Sequence, residues 1–126
     1  MARRWGLEGD EWQAAAGRLT QMLAEAARKR RTVTYGEAAR FAFDGRFSAR
    51  SGALMDLLGE VDRDQEAARG IMIATLVVRA DTGRPGEGYF AFARDVLGRD
   101  VSDRERFWQG EADAVWAAFA QTGKVL

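Results

Sequence analysis

The chain has 126 residues, 47% of them hydrophobic and 30% charged, the profile of an ordinary globular protein with one domain's worth of core. It contains no cysteine and no histidine, which excludes disulfides, thiolate nucleophiles, zinc fingers, Ser-His-Asp triads and imidazole bases together. Lys/Arg and Asp/Glu balance at 19 each, but residues 1–52 hold ten basic against six acidic groups and residues 53–126 nine against thirteen, a dipolar distribution.

In chain order, "MARRWGLEGDEW" has two arginines and no apolar run of signal-peptide length behind them, and the longest apolar run, Ile71 to Val78, is far shorter than a membrane span. A cytoplasmic, non-membrane protein is expected. Asp10, with Gln13 three residues on, reads as a capping box opening a helix that runs to Arg31. Trp12, Ala15, Ala16, Leu19, Met22, Leu23, Ala26 and Ala27 supply its apolar face, and "RKRR" complements the helix dipole at its end. Thr34 and Glu37 form a second capping box, predicting a short helix from Tyr35 to about Phe43.

"DGRF" turns the chain, and Ser48 is placed to cap a third helix, "ARSGALMDLLGEV", which "RDQEAAR" follows or continues up to Gly70. "IMIATLVV" is rich in β-branched residues and apolar on both faces, which predicts a buried strand. "DTGRPGEG" is a loop, "YFAFARDVLG" a helix, and Ser102 with Glu105 opens a last helix over residues 102–122 in which Trp108 and Trp116 belong to the core.

The loop raises the question of a phosphate cradle. Its three glycines are spaced G-x-x-G-x-G, the reverse of a dinucleotide fingerprint, and "GEGYF" lacks the Lys-Ser/Thr of a P-loop. A turn from strand into helix fits better. Asp62, Asp64 and Glu66 form a D-x-D-x-E that reads as a solvated helix face, without the glycine and distant glutamate of a calcium loop.

Three segments, "VTYGEAAR", "SARSGALMDLLGEV" and "IATLVVRADTGRPGEGY", occur in an order that resembles the DNA-binding domain of the O6-alkylguanine-DNA alkyltransferases and the alkyltransferase-like proteins, over about 60 residues from Val33 to roughly Tyr89. The resemblance implies a mainly α (α+β) chain forming one domain over residues 1–126. Its winged-helix-like core would span residues 33–89, with a small β element, and helices 10–31 and 102–122 would flank it. It implies binding to double-stranded DNA through a helix-turn-helix element with one nucleotide rotated out of the stack, a step that costs a few kcal/mol. Tyr35 would crowd the phosphate beside the flipped nucleotide and Arg50 would fill the vacated stack.

The basic residues Arg28, Arg31, Arg40 and Arg46 would approach the phosphates. The alkyl-accepting cysteine of that family falls on Ala74, and its His-Arg neighbours fall on Thr75 and Leu76, so no alkyl transfer is expected; with no Cys or His in the chain and a solvated D-x-D-x-E, no cofactor, no metal and no enzymatic role is expected either. "ARSG" is also one residue shorter than the family's A-R-A-V-G. The alternative reading is a protein-interaction module, such as a toxin-neutralising, immunity or scaffold subunit, without nucleic-acid binding.

Overall fold

The computed structural model describes residues 3–120, which form five α-helices and one pair of two-residue parallel strands. Helix α1 (Gly9–Arg28) begins two residues earlier than Asp10 predicts. Its cap is Glu8, whose carboxylate accepts from the N3 backbone while Glu11 reaches back to the Glu8 N–H. Asp10 instead accepts from the N–H of Glu11. The helix ends in a turn where Arg30 takes a left-handed φ of 53° and Arg31 N–H donates to Ala26 C=O at 2.8 Å.

Strand β1 (Val33–Thr34) leads directly into α2 (Tyr35–Phe43), and Thr34 with Glu37 makes the predicted capping box. Asp44 and Gly45, both at positive φ, stop α2. Helix α3 (Gly52–Arg69) is one continuous helix that includes "RDQEAAR". Its cap is Ser51, not Ser48: the Ser51 hydroxyl accepts from Leu54 N–H at 3.1 Å, whereas the Ser48 hydroxyl is taken by Arg50 N–H in the preceding turn.

The run Ile71–Val78 is buried throughout but only its end is a strand. Ile73–Leu76 winds into a 3-10 turn, and only β2 (Val77–Val78) pairs with β1, in parallel, Val33 opposite Val77. The ladder stops because β1 is two residues long, and because the N–H groups of Ala74 and Thr75 go to Asp62 and to Met72 C=O. Helix α4 (Glu87–Asp95) follows the glycine loop. Helix α5 (Arg104–Ala120) is capped by Asp103, whose carboxylate accepts from Arg106 N–H, while Ser102 bonds back to Asp100. The predicted extension of this helix to residue 122 lies outside the described residues.

Helix α1 packs against α2, α3, α5 and the 3-10 turn, and their apolar faces form the main core around Trp12, Leu19, Leu23, Leu54, Leu57 and Leu76. Each such side chain, fully withdrawn from water, stabilises the fold by roughly 1.5–3 kcal/mol. A second cluster of Met72, Val78, Tyr89, Phe90, Ala93 and Trp108 joins α4 and α5 to the residues that flank the 3-10 turn. Trp108 reaches Thr75 C=O through its indole N–H at 3.0 Å, so it is a core residue as expected. Arg30 lies over the half-buried Trp116 ring.

Candidate nucleic-acid interface

Tyr35 is the first residue of α2, fixed by the Thr34 cap. Its hydroxyl accepts the Gly86 N–H at 2.9 Å, joining the start of α2 to the start of α4. Burial raises the Tyr35 pKa above its ordinary value, with the Gly86 bond and nearby Arg79 acting the other way, so the phenol keeps its proton. That proton has no acceptor among the described residues and remains available to a ligand oxygen.

Tyr35 borders a groove of about 580 Å³ whose other walls include Gly36, Arg50, Met55, Arg79 and Glu87. Arg50 sits in the turn just before the Ser51 cap. It is exposed, and its guanidinium has no hydrogen bond or ion pair among the described residues. The other charges of the groove are paired: Arg79 with Asp81 at 2.8 and 2.9 Å, and Glu87 with Arg104. Arg50 is therefore the cation in this groove whose charge is not already answered.

The remaining basic residues named from sequence do not gather here. Arg28 holds Glu25 at 2.9 Å, and Arg31 lines a separate groove between α1 and α2 with Lys29, Glu25 and Glu37. Arg40 is exposed on α2, near enough to Glu37 to help lower that carboxyl's pKa, for which the Thr34 backbone N–H is the main cause. Arg46 lies over the Phe47 ring, 5.8 Å from its centroid. The connection between α2 and α3, residues 44–51, is also longer than the three- or four-residue turn of a helix-turn-helix.

The glycine loop is a turn, as its spacing predicts. Arg79 N–H donates to Arg84 C=O at 2.9 Å, and Gly83 takes φ 69°, a conformation that favours glycine. Arg84 grips Glu105 through two bonds of 2.8 Å and lies over the Trp108 ring. The N–H of Gly86, at the cap of α4, is spent on Tyr35, and the acidic Glu87 follows it, so this helix start is not arranged as an anion cradle.

Beside the groove, sharing Tyr35, Met55 and Gly88 with it, opens an apolar pocket of about 340 Å³ between α3 and α4. Leu58, Ala74, Tyr89 and Phe92 line it, and Asp62 is its buried carboxyl. Asp62 is only 3% exposed, contrary to the solvated face expected of D-x-D-x-E. Helical spacing carried the missed signal: Asp62 lies four residues after Leu58 and next to Val61, on the buried face of α3. Its Oδ1 accepts Ala74 N–H at 2.7 Å, and burial pushes its pKa up to about 8, with Glu111 adding to the shift and the Ala74 bond and Arg99 opposing it.

Nearby, Glu111 accepts Met72 N–H and the Arg99 guanidinium, both at 2.8 Å, and the Thr75 and Tyr89 hydroxyls share a 2.6 Å bond. None of these polar residues was singled out as a site from sequence. Among the described residues no cluster of three or more carboxylates is placed to hold a metal ion, and no helix is long and apolar enough to cross a membrane. Compared with known protein families, curated proteins and solved structures, the chain matches none.

Proposed function

We propose that the protein is a non-catalytic DNA-binding protein of alkyltransferase-like type. In this reading the α2–α3 unit of a winged-helix-like core meets the duplex through the groove bordered by Tyr35 and Arg50. The observation that carries the reading is the unpaired, exposed Arg50 guanidinium on the same groove as the Tyr35 hydroxyl, whose proton is unspent. A cation and a neutral donor on one groove suit a phosphodiester, and each phosphate neutralised by an Arg releases counterions. The adjoining pocket supports extrusion of a nucleotide, because it offers an apolar volume next to the groove. Ala74 borders that pocket where the resembled enzymes carry their thiolate, which supports binding without alkyl transfer.

The roles of Arg50 are separable by experiment. As a phosphate contact, Arg50→Ala weakens binding to all duplexes and lowers the salt slope by about 1. As the residue that fills the vacated stack, it matters on an intact duplex and little on one already missing a base. We expect a loss of about tenfold on intact duplex and less than about threefold on abasic duplex, measured by fluorescence anisotropy. Equal losses reduce Arg50 to a backbone contact, and an unchanged affinity on both removes it from the interface.

The alternative, a protein-interaction module, draws on one observation. Phe41 on α2 is 49% exposed and borders the groove between α1 and α2 with Met22 and Val33, an apolar surface away from Tyr35 and Arg50.

A further inference from the structure

Helix α2 borders two grooves. Its first residue, Tyr35, lines the one that holds Arg50, while Glu37 and Phe41, one turn apart, line the separate groove between α1 and α2. That second groove encloses about 310 Å³, and Met22, Ala26 and Val33 give it apolar surface. Phe41 remains 49% exposed, although Ala38, Ala39, Ala42 and Phe43 of the same helix are buried. A phenyl ring left half in water beside an apolar groove adds little to the fold and is free to be covered by a partner.

Charge identifies the occupant. Residues 21–41 hold five Lys/Arg against two Asp/Glu, in a chain that is neutral overall. Both carboxylates at the groove are already engaged: Glu25 with Arg28 at 2.9 Å and Lys29 at 3.4 Å, and Glu37 with the Thr34 N–H at 2.9 Å in the capping box. Two cations are not. Arg31, which lines the groove, and Arg40, next to Phe41 on α2, are exposed, and their guanidiniums make no hydrogen bond or ion pair among the described residues. The Glu37 carboxyl is held below its ordinary pKa first by the Thr34 N–H and then also by Arg40 and Arg31, which places both cations near it.

The backbone fixes one of them. Helix α1 ends on Arg30 at φ 53°, a left-handed conformation unusual for a bulky residue, where a glycine is the common choice. Arg31 N–H then donates to the C=O of Ala26 at 2.8 Å. Ala26 itself lines the groove, so this bond sets where Arg31 leaves the turn.

We propose that the α1–α2 groove docks an acidic peptide segment of a partner protein, with a large apolar side chain seated against Phe41 and Met22 and flanking Asp or Glu side chains paired with Arg31 and Arg40; this rests on the interaction-module reading and gives the partner its chemistry. A nucleic-acid strand suits the groove less, because its phosphates would run past Glu25 and Glu37 and gain nothing from the apolar walls. A peptide places a carboxylate only where a guanidinium can take it, in the two-bond geometry that arginine favours. Burial of the anchor then supplies affinity, and the charges supply orientation and association rate.

Fluorescein-labelled peptides of about twelve residues, built from Asp and Glu with two Leu, Phe or Trp three or four positions apart, test it by fluorescence anisotropy on the full chain. Matched control sets carry Asn and Gln for the acids, Lys for the acids, or Ala for the apolar residues. The acidic set should bind at least about tenfold tighter than each control set. Phe41→Ala should weaken that binding about tenfold while keeping the fold, since alanine is the better helix former at an exposed position; thermal melting by circular dichroism verifies this. Arg31→Gln and Arg40→Gln should each cost about fivefold and flatten the salt dependence, whereas Arg106→Gln, which removes an exposed cation of α5, should change nothing. Arg31→Glu combined with Arg40→Glu should transfer the preference to the Lys set, a reversal that a purely structural role of the two arginines would not produce.

Preference for the neutral set, with Phe41→Ala still costly, overturns the acidic partner and leaves an interaction surface; no binding by any set overturns both. A single strand of oligothymidylate that binds more tightly than the acidic set, and is weakened by the same variants, overturns the peptide in favour of nucleic acid. A Phe41-dependent doubling of mass in sedimentation overturns it in favour of a second copy of the chain. The peptide measurements contain no DNA, so their failure leaves the Tyr35–Arg50 groove and its DNA reading standing.

Discussion

Replacing Asp62 with asparagine should make the protein more stable at pH 8 and leave it nearly unchanged at pH 3, below both pKa values of the aspartate. The folded-state pKa of Asp62 is about 8, far above its ordinary value of 3.8. Between those two values the folded chain binds the extra proton, so stability falls as pH rises through the window and levels off above the folded pKa. At low pH both side chains are neutral and nearly equal in shape, and both accept the Ala74 N–H. At high pH only the aspartate carries a buried charge. The advantage of Asp62→Asn should reach on the order of 5 kcal/mol at pH 8. Urea denaturation of both proteins across this range measures it, and the difference between them removes the opposing contributions of surface carboxylates. Parallel curves would mean that Asp62 ionises as an exposed carboxyl does.

Arg99 should matter more than its position in a loop suggests. It joins Glu66 of α3 at 2.9 Å and Glu111 of α5 at 2.8 Å, and the second oxygen of Glu111 accepts Met72 N–H at the entrance to the 3-10 turn. Arg99→Met keeps the apolar stem but leaves the buried Glu111 carboxylate without a cation, at a cost of about 3 kcal/mol. Adding Glu111→Gln removes the uncompensated charge while retaining an acceptor for Met72, so the double variant should recover at least about 1 kcal/mol of that loss. Simple additivity of the two substitutions in chemical denaturation would show that the pair is not coupled.

Much of the helical framework was legible because local chemistry decides it. The Thr34–Glu37 box starts α2 where the sequence places it, and the 3.6-residue spacing of Trp12, Ala15, Leu19 and Leu23 marks the buried face of α1. Errors arose where two candidate caps compete within a few residues. Ser48 and Ser51 carry the same hydroxyl, but only Ser51 stands three residues before a free helical N–H, that of Leu54, while Ser48 closes the turn that sets Arg50. Glu8 displaced Asp10 in the same way, through its reciprocal bonds with Glu11.

The run Ile71–Val78 shows a different limit. Continuous apolar character reports burial, and a 3-10 turn held by a carboxylate twelve residues earlier is as buried as a strand. The site was half legible. Tyr35 and Arg50 share a groove, yet the paired state of Arg28, Arg79 and Glu87 depends on partners whose identity no spacing reveals. Asp62 sat on the apolar face of α3 by its periodicity, but its partner Ala74 is brought to it only by tertiary packing.

The DNA-binding proposal is tested most directly by titrating the unmutated protein against a labelled duplex, intact and with a single abasic site, at low and moderate salt. Binding should be measurable at low salt, tighter on the abasic duplex, where no extrusion is needed, and weaker as salt rises, with a shallow slope reflecting Arg50 as the unpaired cation of the groove. Absence of binding to either duplex at low salt would contradict the proposal.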